Sequence, residues 1–545
     1  MIFRRLLCCL LLLICVGSAG AQDQTELAWK TRANLAAGHW DQARAGLEAL
    51  ARGHHGAADP FEQAFAARAL AEGARRFQGR DSRLADQSYR AAAERLKSFE
   101  GWLSEYPNLI DVHGFQEPAW IHGQAEAVSQ AILAWCELTE LDKETGRREL
   151  VEKFCEGLLA LDRKDSSRYP FGAHTSFAAI GRGYVPVEGG PDASGAEWVT
   201  SRAYQVAALA RAGQLYNRSE WLAAAEKEAL GMTAHLVVAD RPVLGFAPRP
   251  MATIDPLAAA ALVENLVAVY QASGKDVYAV LAGIGGIWVR HPEVSKRPEA
   301  VDLLKAAVAN LPGDRYQNGA DVGRPSAYQV MDAERGRAVK KAFDIQDITY
   351  PDGEAGQIVT VGREQMFWMR FDVDREDDYF FYMIFLKSEV GGGLVSVMMR
   401  IDGDKIFQVN LGGASGVPFM DIELVEGPRH LRQGPHSFGI RFSGLLMTRP
   451  AVLDAVVVQP VLERRTLDLP GGRRMIVLKN MATTPARTTY EEVHPWPASR
   501  IEVVDGTGQT AQLSYETDPR RRKDYLVVPA GGVAILEWTP GPGTE

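Results

Sequence analysis

The sequence predicts a multidomain chain, α first and β second: a repeated array of helical hairpins, a β-sandwich, and a small C-terminal β unit. Three observations predict this. Residues 25–312 are Ala- and Leu-rich, with apolar residues at helical spacing and few β-branched runs. From about residue 357 the pattern changes to short alternating apolar stretches separated by Gly, Asp and Pro. The bulk composition is globular: 545 residues, 46% hydrophobic and 24% charged. A chain of this length holds roughly two to four domains.

Residues 1–21 stand apart from the fold. Arg4 and Arg5 precede an unbroken apolar stretch, Leu6 to Val16, and Ala19-Gly20-Ala21 then offers a small-x-small cleavage site. This reads as a secretory signal peptide, so the mature chain is expected to be secreted or periplasmic. A lipid anchor at Cys15 is disfavoured by Ile14 before it. No later segment is long and apolar enough to span a membrane. Losing Arg4 and Arg5 takes the net charge from −9 further negative. With no long basic block, nucleic acid is not an expected partner. Cys136 and Cys155 alone remain after the leader, too few for a disulfide scaffold or a zinc site. No metal and no cofactor is expected. Nothing in the sequence fixes an oligomeric state.

Within 22–312 three stretches repeat one design. Residues 120–140, 197–215 and 257–271 each lead through a short polar turn into a second helix, over 148–161, 220–235 and 276–289. Leu262, Leu266, Val269 and Tyr270 share one face; Tyr278, Leu281, Gly285 and Trp288 share another. The short turns make each pair an antiparallel hairpin. Hairpins also fit 26–52 and 61–106, for eleven or twelve helices in all. Cys136 and Cys155 lie at similar distances from the first turn, so a disulfide and two buried thiols are both open.

Residues 313–356 read as a linker. In 357–462, Phe367, Met369, Phe371 and Val373 alternate, Asp402-Gly403 marks a hairpin turn, and Phe438, Ile440 and Phe442 alternate again. This is a β-sandwich signature. Residues 463–545 form the last β unit.

The block Ala261-Leu262-Val263-Glu264-Asn265-Leu266 through Gly274-Lys275-Asp276-Val277-Tyr278, with Trp120-Ile121-His122-Gly123 at a helix start, resembles the hairpin unit of the six-hairpin glycosidase-like (α/α) toroids. The stretch 340–462 is similar to carbohydrate-binding jelly rolls, on Arg400-Ile401-Asp402-Gly403-Asp404, Gly434-Pro435-His436 and Leu453-Asp454-Ala455. The resemblance implies an (α/α) toroid followed by a jelly-roll-like β-sandwich, and an enzyme that cleaves glycosidic bonds in a polysaccharide or oligosaccharide.

The long loop 165–197 holds most of the candidate chemistry, since loops longer than a connector needs are often functional. For lyase action on a uronate, His174 or Tyr184 would take the proton beside the carboxylate and Arg182 would neutralise the developing charge. For hydrolysis, two of Glu188, Asp192, Glu197 and Asp255 would act as acid and nucleophile or base. The His, Tyr and Arg content favours lyase slightly over hydrolase. His113, Trp120, His122, Tyr169, Trp198, Arg202 and Tyr204 are the candidate substrate-binding residues; core packing is the competing role of Trp120, Trp198 and Tyr204. The rival class is a non-catalytic glycan-binding or scaffold protein. Its helical array would be an open solenoid, with first and last hairpins apart.

Overall fold

The computed structural model describes residues 24–53, 60–105, 118–142, 147–161, 195–232, 256–290 and 292–312 of the helical half, and of the β half residues 329–332, 337–338, 344–349, 355–361, 366–373, 375–387, 395–411, 419–443, 451–469, 471–482, 484–519 except 490–497, and 523–538. The helices are α1 (Gln24–Ala37), α2 (Trp40–Arg52), α3 (Pro60–Phe77), α4 (Ser82–Glu105), α5 (Pro118–Asp142), α6 (Arg148–Leu161), α7 (Gly195–Tyr216), α8 (Ser219–Met232), α9 (Pro256–Ser273), α10 (Asp276–Gly285), the short α11 (Pro292–Ser295) and α12 (Pro298–Ala309). The second helix of the third hairpin, α10, is expected from the sequence to run to 289. It ends at Gly285, and the Gly285-Gly286 pair passes into a 3-10 turn, Gly286–Arg290.

The helices form two layers. α1 packs on α3, α3 on α5, α5 on α7, α7 on α9, α9 on α12, and α12 back on α1. Six helices thus make a closed circuit of contacts, a ring. α2, α4, α6, α8 and α10 each pack outside the inner helix that precedes them. Inner helices have neighbours on both sides, which explains their alanine content. Ala258 to Ala261 on α9 and Ala64, Ala66, Ala67, Ala69 and Ala71 on α3 are all fully buried. Small side chains let axes approach to about 8–10 Å while keeping high helix propensity. Cys136 and Cys155 are free, buried thiols. They stand next to Trp135 and Phe154, whose rings stack across the α5–α6 hairpin at 5.3 Å.

Eighteen strands follow among the described residues. One sheet has the order β3-β4-β11-β6-β9, with β1 also on β11; the facing sheet is β2-β5-β10-β7-β8. Here β1 is Gln329–Asp332, β2 Arg337–Ala338, β3 Asp344–Thr349, β4 Ala355–Val361, β5 Met366–Val373, β6 Asp377–Lys387, β7 Val395–Ile401, β8 Asp404–Leu411, β9 Phe419–Leu431, β10 Gly434–Ser443 and β11 Ala451–Pro460. Phe381 of β6 stacks on Phe438 of β10 at 5.5 Å and meets Phe371 of β5 edge-on at 5.8 Å, joining the sheets. The alternation read at 367–373 is observed, with those four residues buried. Asp402 and Gly403 turn β7 into β8 with φ of 52° and 90°. The linker reading of 313–356 needs correction, because β1, β2 and β3 lie inside it. All three sit at sheet margins, where a strand need not bury both faces, so their polar sequences carry no clear alternation.

The C-terminal unit pairs a four-stranded sheet, β12-β13-β18-β15, with a three-stranded one, β14-β17-β16. Its strands are β12 (Leu462–Leu469), β13 (Arg473–Asn480), β14 (Ala486–Thr489), β15 (Arg500–Val504), β16 (Ser514–Asp518), β17 (Lys523–Val528) and β18 (Val533–Trp538). The four-stranded sheet is buried on both faces. Met475, Val477, Val504, Val533 and Ile535 join the helical core, while Ile476, Leu478, Val503, Ala534 and Leu536 pack toward Leu526 and Val528 of β17. Double burial explains the unbroken apolar runs of β13 and β18. Polar contacts seal the joint with α8 and α10. Lys275 Nζ donates to Glu226 Oε2 and to Gly508 O, each at 2.7 Å. Arg500 pairs with Asp276 at 2.7 Å, and Val277 N donates to Glu502 Oε1 at 3.2 Å.

Candidate functional site

Five of the six inner helices send polar side chains to the middle of the ring. Arg32 of α1 donates from Nε to both Glu72 oxygens, at 3.1 and 3.0 Å, and from Nη2 to Glu264 Oε1 at 2.8 Å. Arg68 of α3 donates from Nε to Glu72 Oε1 at 2.9 Å and from Nη1 to Gln130 Oε1 on α5 at 2.7 Å. The Tyr204 hydroxyl of α7 donates to Glu264 Oε2 at 3.2 Å. Arg68 lies 4.8 Å over the Tyr204 ring, and Arg32 lies 5.4 Å from the Trp29 ring.

The cluster matches two guanidiniums to two carboxylates. Burial alone would raise Glu72, but Arg32 and Arg68 more than reverse it and hold its carboxyl at about 2. Burial, then the Glu264 charge, pushes the Tyr204 hydroxyl far above its ordinary value. Glu72 therefore stays ionised and Tyr204 stays protonated at neutral pH. Both carboxylates are held by the guanidiniums and the phenol is held protonated, so the cluster works as a staple across the ring.

The sequence-predicted site residues divide accordingly. Tyr204 is fully buried under Arg68 and beside Trp29, 5.8 Å away, so it is a core residue and not a platform for a sugar. Trp120 and His122 lie in the first turns of α5, and Glu197, Trp198 and Arg202 in the first turns of α7; their side chains are outside the described residues. His113, Tyr169, His174, Arg182, Tyr184, Glu188, Asp192 and Asp255 are also outside the described residues. In chain order, 106–117, 162–194 and 233–255 each run from the end of an outer helix to the start of the next inner one. The helix ends that they join share one end of the ring. Sequence reading missed Arg32, Arg68, Glu72 and Gln130. A signal existed: Arg68 and Glu72 stand four apart on a helix otherwise crowded with buried alanine.

A second polar group sits at the β7–β8 turn. His436 Nδ1 meets Asp402 Oδ2 at 2.6 Å and its Nε2 meets Arg432 O at 2.6 Å. Both ring nitrogens face acceptors, which asks for the doubly protonated ring. Burial opposes that charge, but the Arg432 carbonyl and Asp402 win and raise the group. Ser437 Oγ bonds Asp402, not His436, so no nucleophile–base pair forms. No group of three or more metal-binding side chains occurs among the described residues. No helix among them is long and apolar enough to cross a membrane.

No protein-family model matches the chain, and no curated protein does. Solved structures give partial likenesses. A cycloisomaltooligosaccharide glucanotransferase of a Paenibacillus species, solved with cycloisomaltoheptaose, is 8% identical over 38% of this chain and 45% of its own, with a TM-score of 0.20. The chain thus spans under half the length of that structure. A carbohydrate-binding module of a Cellvibrio mixtus lichenase, solved with cellotriose, is 14% identical over 24% of this chain and 95% of its own, with a TM-score of 0.18. An exo-β-1,3-galactanase from Phanerochaete chrysosporium, solved with β-1,3-galactotriose, is 14% identical over 24% and 29%, with a TM-score of 0.18. Likenesses this slight assign neither a family nor an activity.

Proposed function

We propose that the chain is an exported polysaccharide-active enzyme whose helical ring is an (α/α) toroid of the six-hairpin glycosidase-like kind. The observation that supports this best is ring closure, α12 against α1, with the longest connecting segments ending on one rim. The substrate cleft lies at that rim, where the inner helices begin. The axial guanidiniums are already taken up by ion pairs with Glu72 and Glu264, so the chemistry is assigned to the rim residues.

Lyase action on an acidic glycan is the favoured reaction. His174 or Tyr184 takes the proton beside the uronate carboxylate, and Arg182 neutralises the charge that develops. The alternative pair for hydrolysis is drawn from Glu188, Asp192, Glu197 and Asp255. A second reading, a non-catalytic glycan-binding scaffold, draws on the charge-matched axis.

The test incubates the mature chain with neutral and acidic polysaccharides and follows reducing ends together with the ultraviolet absorbance of unsaturated uronate. The proposal expects both signals, and a loss of about 10²-fold or more in His174→Ala or Tyr184→Phe, whichever is the base. Reducing ends alone assign a hydrolase. Neither signal, with retention on immobilised glycan, assigns the scaffold.

A further inference from the structure

We propose that the outer face of the β2-β5-β10-β7-β8 sheet binds an anionic polysaccharide, with Trp368 as the sugar platform and Arg370 and Arg400 as partners of its carboxylates. This rests on the glycan reading above and adds a second glycan-binding site to it, away from the rim of the ring.

β5 turns Phe367, Met369, Phe371 and Val373 inward, which leaves Trp368, Arg370 and Asp372 on the other face. Register builds the surface around the tryptophan. Gly439 of β10 stands opposite Trp368, Ser437 opposite Arg370, and Arg441 opposite Met366. Arg400 of β7 stands opposite Gly439 on its far side, and Met398 opposite Arg441. A Cβ on Gly439 would lie 2.7, 2.7 and 2.8 Å from three carbons of the Trp368 six-membered ring. The indole therefore lies across the glycine backbone, in the gap that only a missing side chain leaves, and reaches toward Arg400. Trp368 is half-buried, and among the described residues no ring or cation packs against it.

The arginines are open as well. Arg370 is exposed, with no ion pair among the described residues. Arg400 donates from Nη1 to Gly403 O at 3.2 Å, while its Nε is buried without a partner. A flat indole suits the CH face of a sugar ring, and a guanidinium fork suits a carboxylate. The patch is locally basic on a chain of net charge −9. That overall charge opposes any polyanion at long range, so binding must come from the patch itself, where the indole suits a sugar ring and the guanidiniums its carboxylates.

Titration of the intact chain with polygalacturonate, dextran and poly(dT) tests the site by calorimetry. The expected result is polygalacturonate binding that weakens with salt, exceeds dextran binding, and falls at least tenfold in W368A and in the R370Q/R400Q double variant. Both variants should keep the parent far-UV spectrum. Gly439→Val, which must displace the indole, should reproduce the loss. Unchanged polygalacturonate binding in folded W368A and R370Q/R400Q overturns this site and leaves the glycan reading standing. Tighter binding of poly(dT) than of polygalacturonate overturns the occupant. Binding of no polysaccharide at all overturns both readings.

Discussion

The arginines of the ring axis and those of the sandwich face are the same side chain in opposite conditions. Arg32 and Arg68 are buried, and their donors meet Glu72, Glu264 and Gln130. Arg370 and Arg400 sit on a half-exposed sheet beside an uncovered indole, with no carboxylate partner among the described residues. A guanidinium whose acceptors come from its own chain holds that chain together. One whose acceptors are absent is available to a ligand. Partner saturation, more than burial or residue type, separates a staple from a site.

The largest effect should come from breaking the staple. Arg32→Ala leaves Glu72 and Glu264 short of a counter-charge and should cost about 3–5 kcal/mol, read by denaturant unfolding of the helices. Polygalacturonate binding at the sheet face should survive at temperatures where the variant is folded. Ile535→Ala should follow, at about 2–5 kcal/mol. Ile535 belongs to the core that the helices share with the C-terminal sheet, so calorimetry should show helices and C-terminal unit weakening together. A transition confined to the C-terminal unit would break the shared-core account.

Acid should then dissect the axis. Glu72 is held at about 2, below its ordinary 4.5. A lowered carboxyl contributes stability that is whole above 4.5 and is lost as pH falls toward 2. The thermal midpoint of the helices should drop through that window, and the drop should be shallower in Glu72→Gln. The smallest effect on stability belongs to the face: R370Q/R400Q should stay within about 0.5 kcal/mol of the parent by the same unfolding measurement, since no ion pair is lost and only the exposed Arg400–Gly403 hydrogen bond goes.

The sequence showed local order well and long-range closure poorly. Leu262, Leu266, Val269 and Tyr278 announce their helices because period and turn are contained in a short window. Contact of α12 with α1 joins residues about 270 apart, as the Arg297–Glu26 bond does, and leaves no local mark. Double burial wrote itself into β13 and β18 as unbroken apolar runs, whereas the marginal strands β1 to β3 carry almost no pattern and read as a linker. At the axis, Arg68 and Glu72 look like any solvated pair four residues apart; only the ring shows that they face inward. Tyr204 could be read as platform or core, and helical burial decided for the core. Trp368 stands in the sequence simply as the residue between the alternating Phe367 and Met369. Its meaning depends on Gly439 and Arg400, which pairing alone brings beside it.

Amide hydrogen exchange on the intact chain, with and without polygalacturonate oligomers, tests the central claim most directly. The account predicts added protection in two places: the first turns of α5, α7 and α9, at the rim of the ring, and strands β5, β7 and β10 beneath the Trp368 face. Protection confined to the outer helices α2 and α4, or none under saturating ligand, would contradict it.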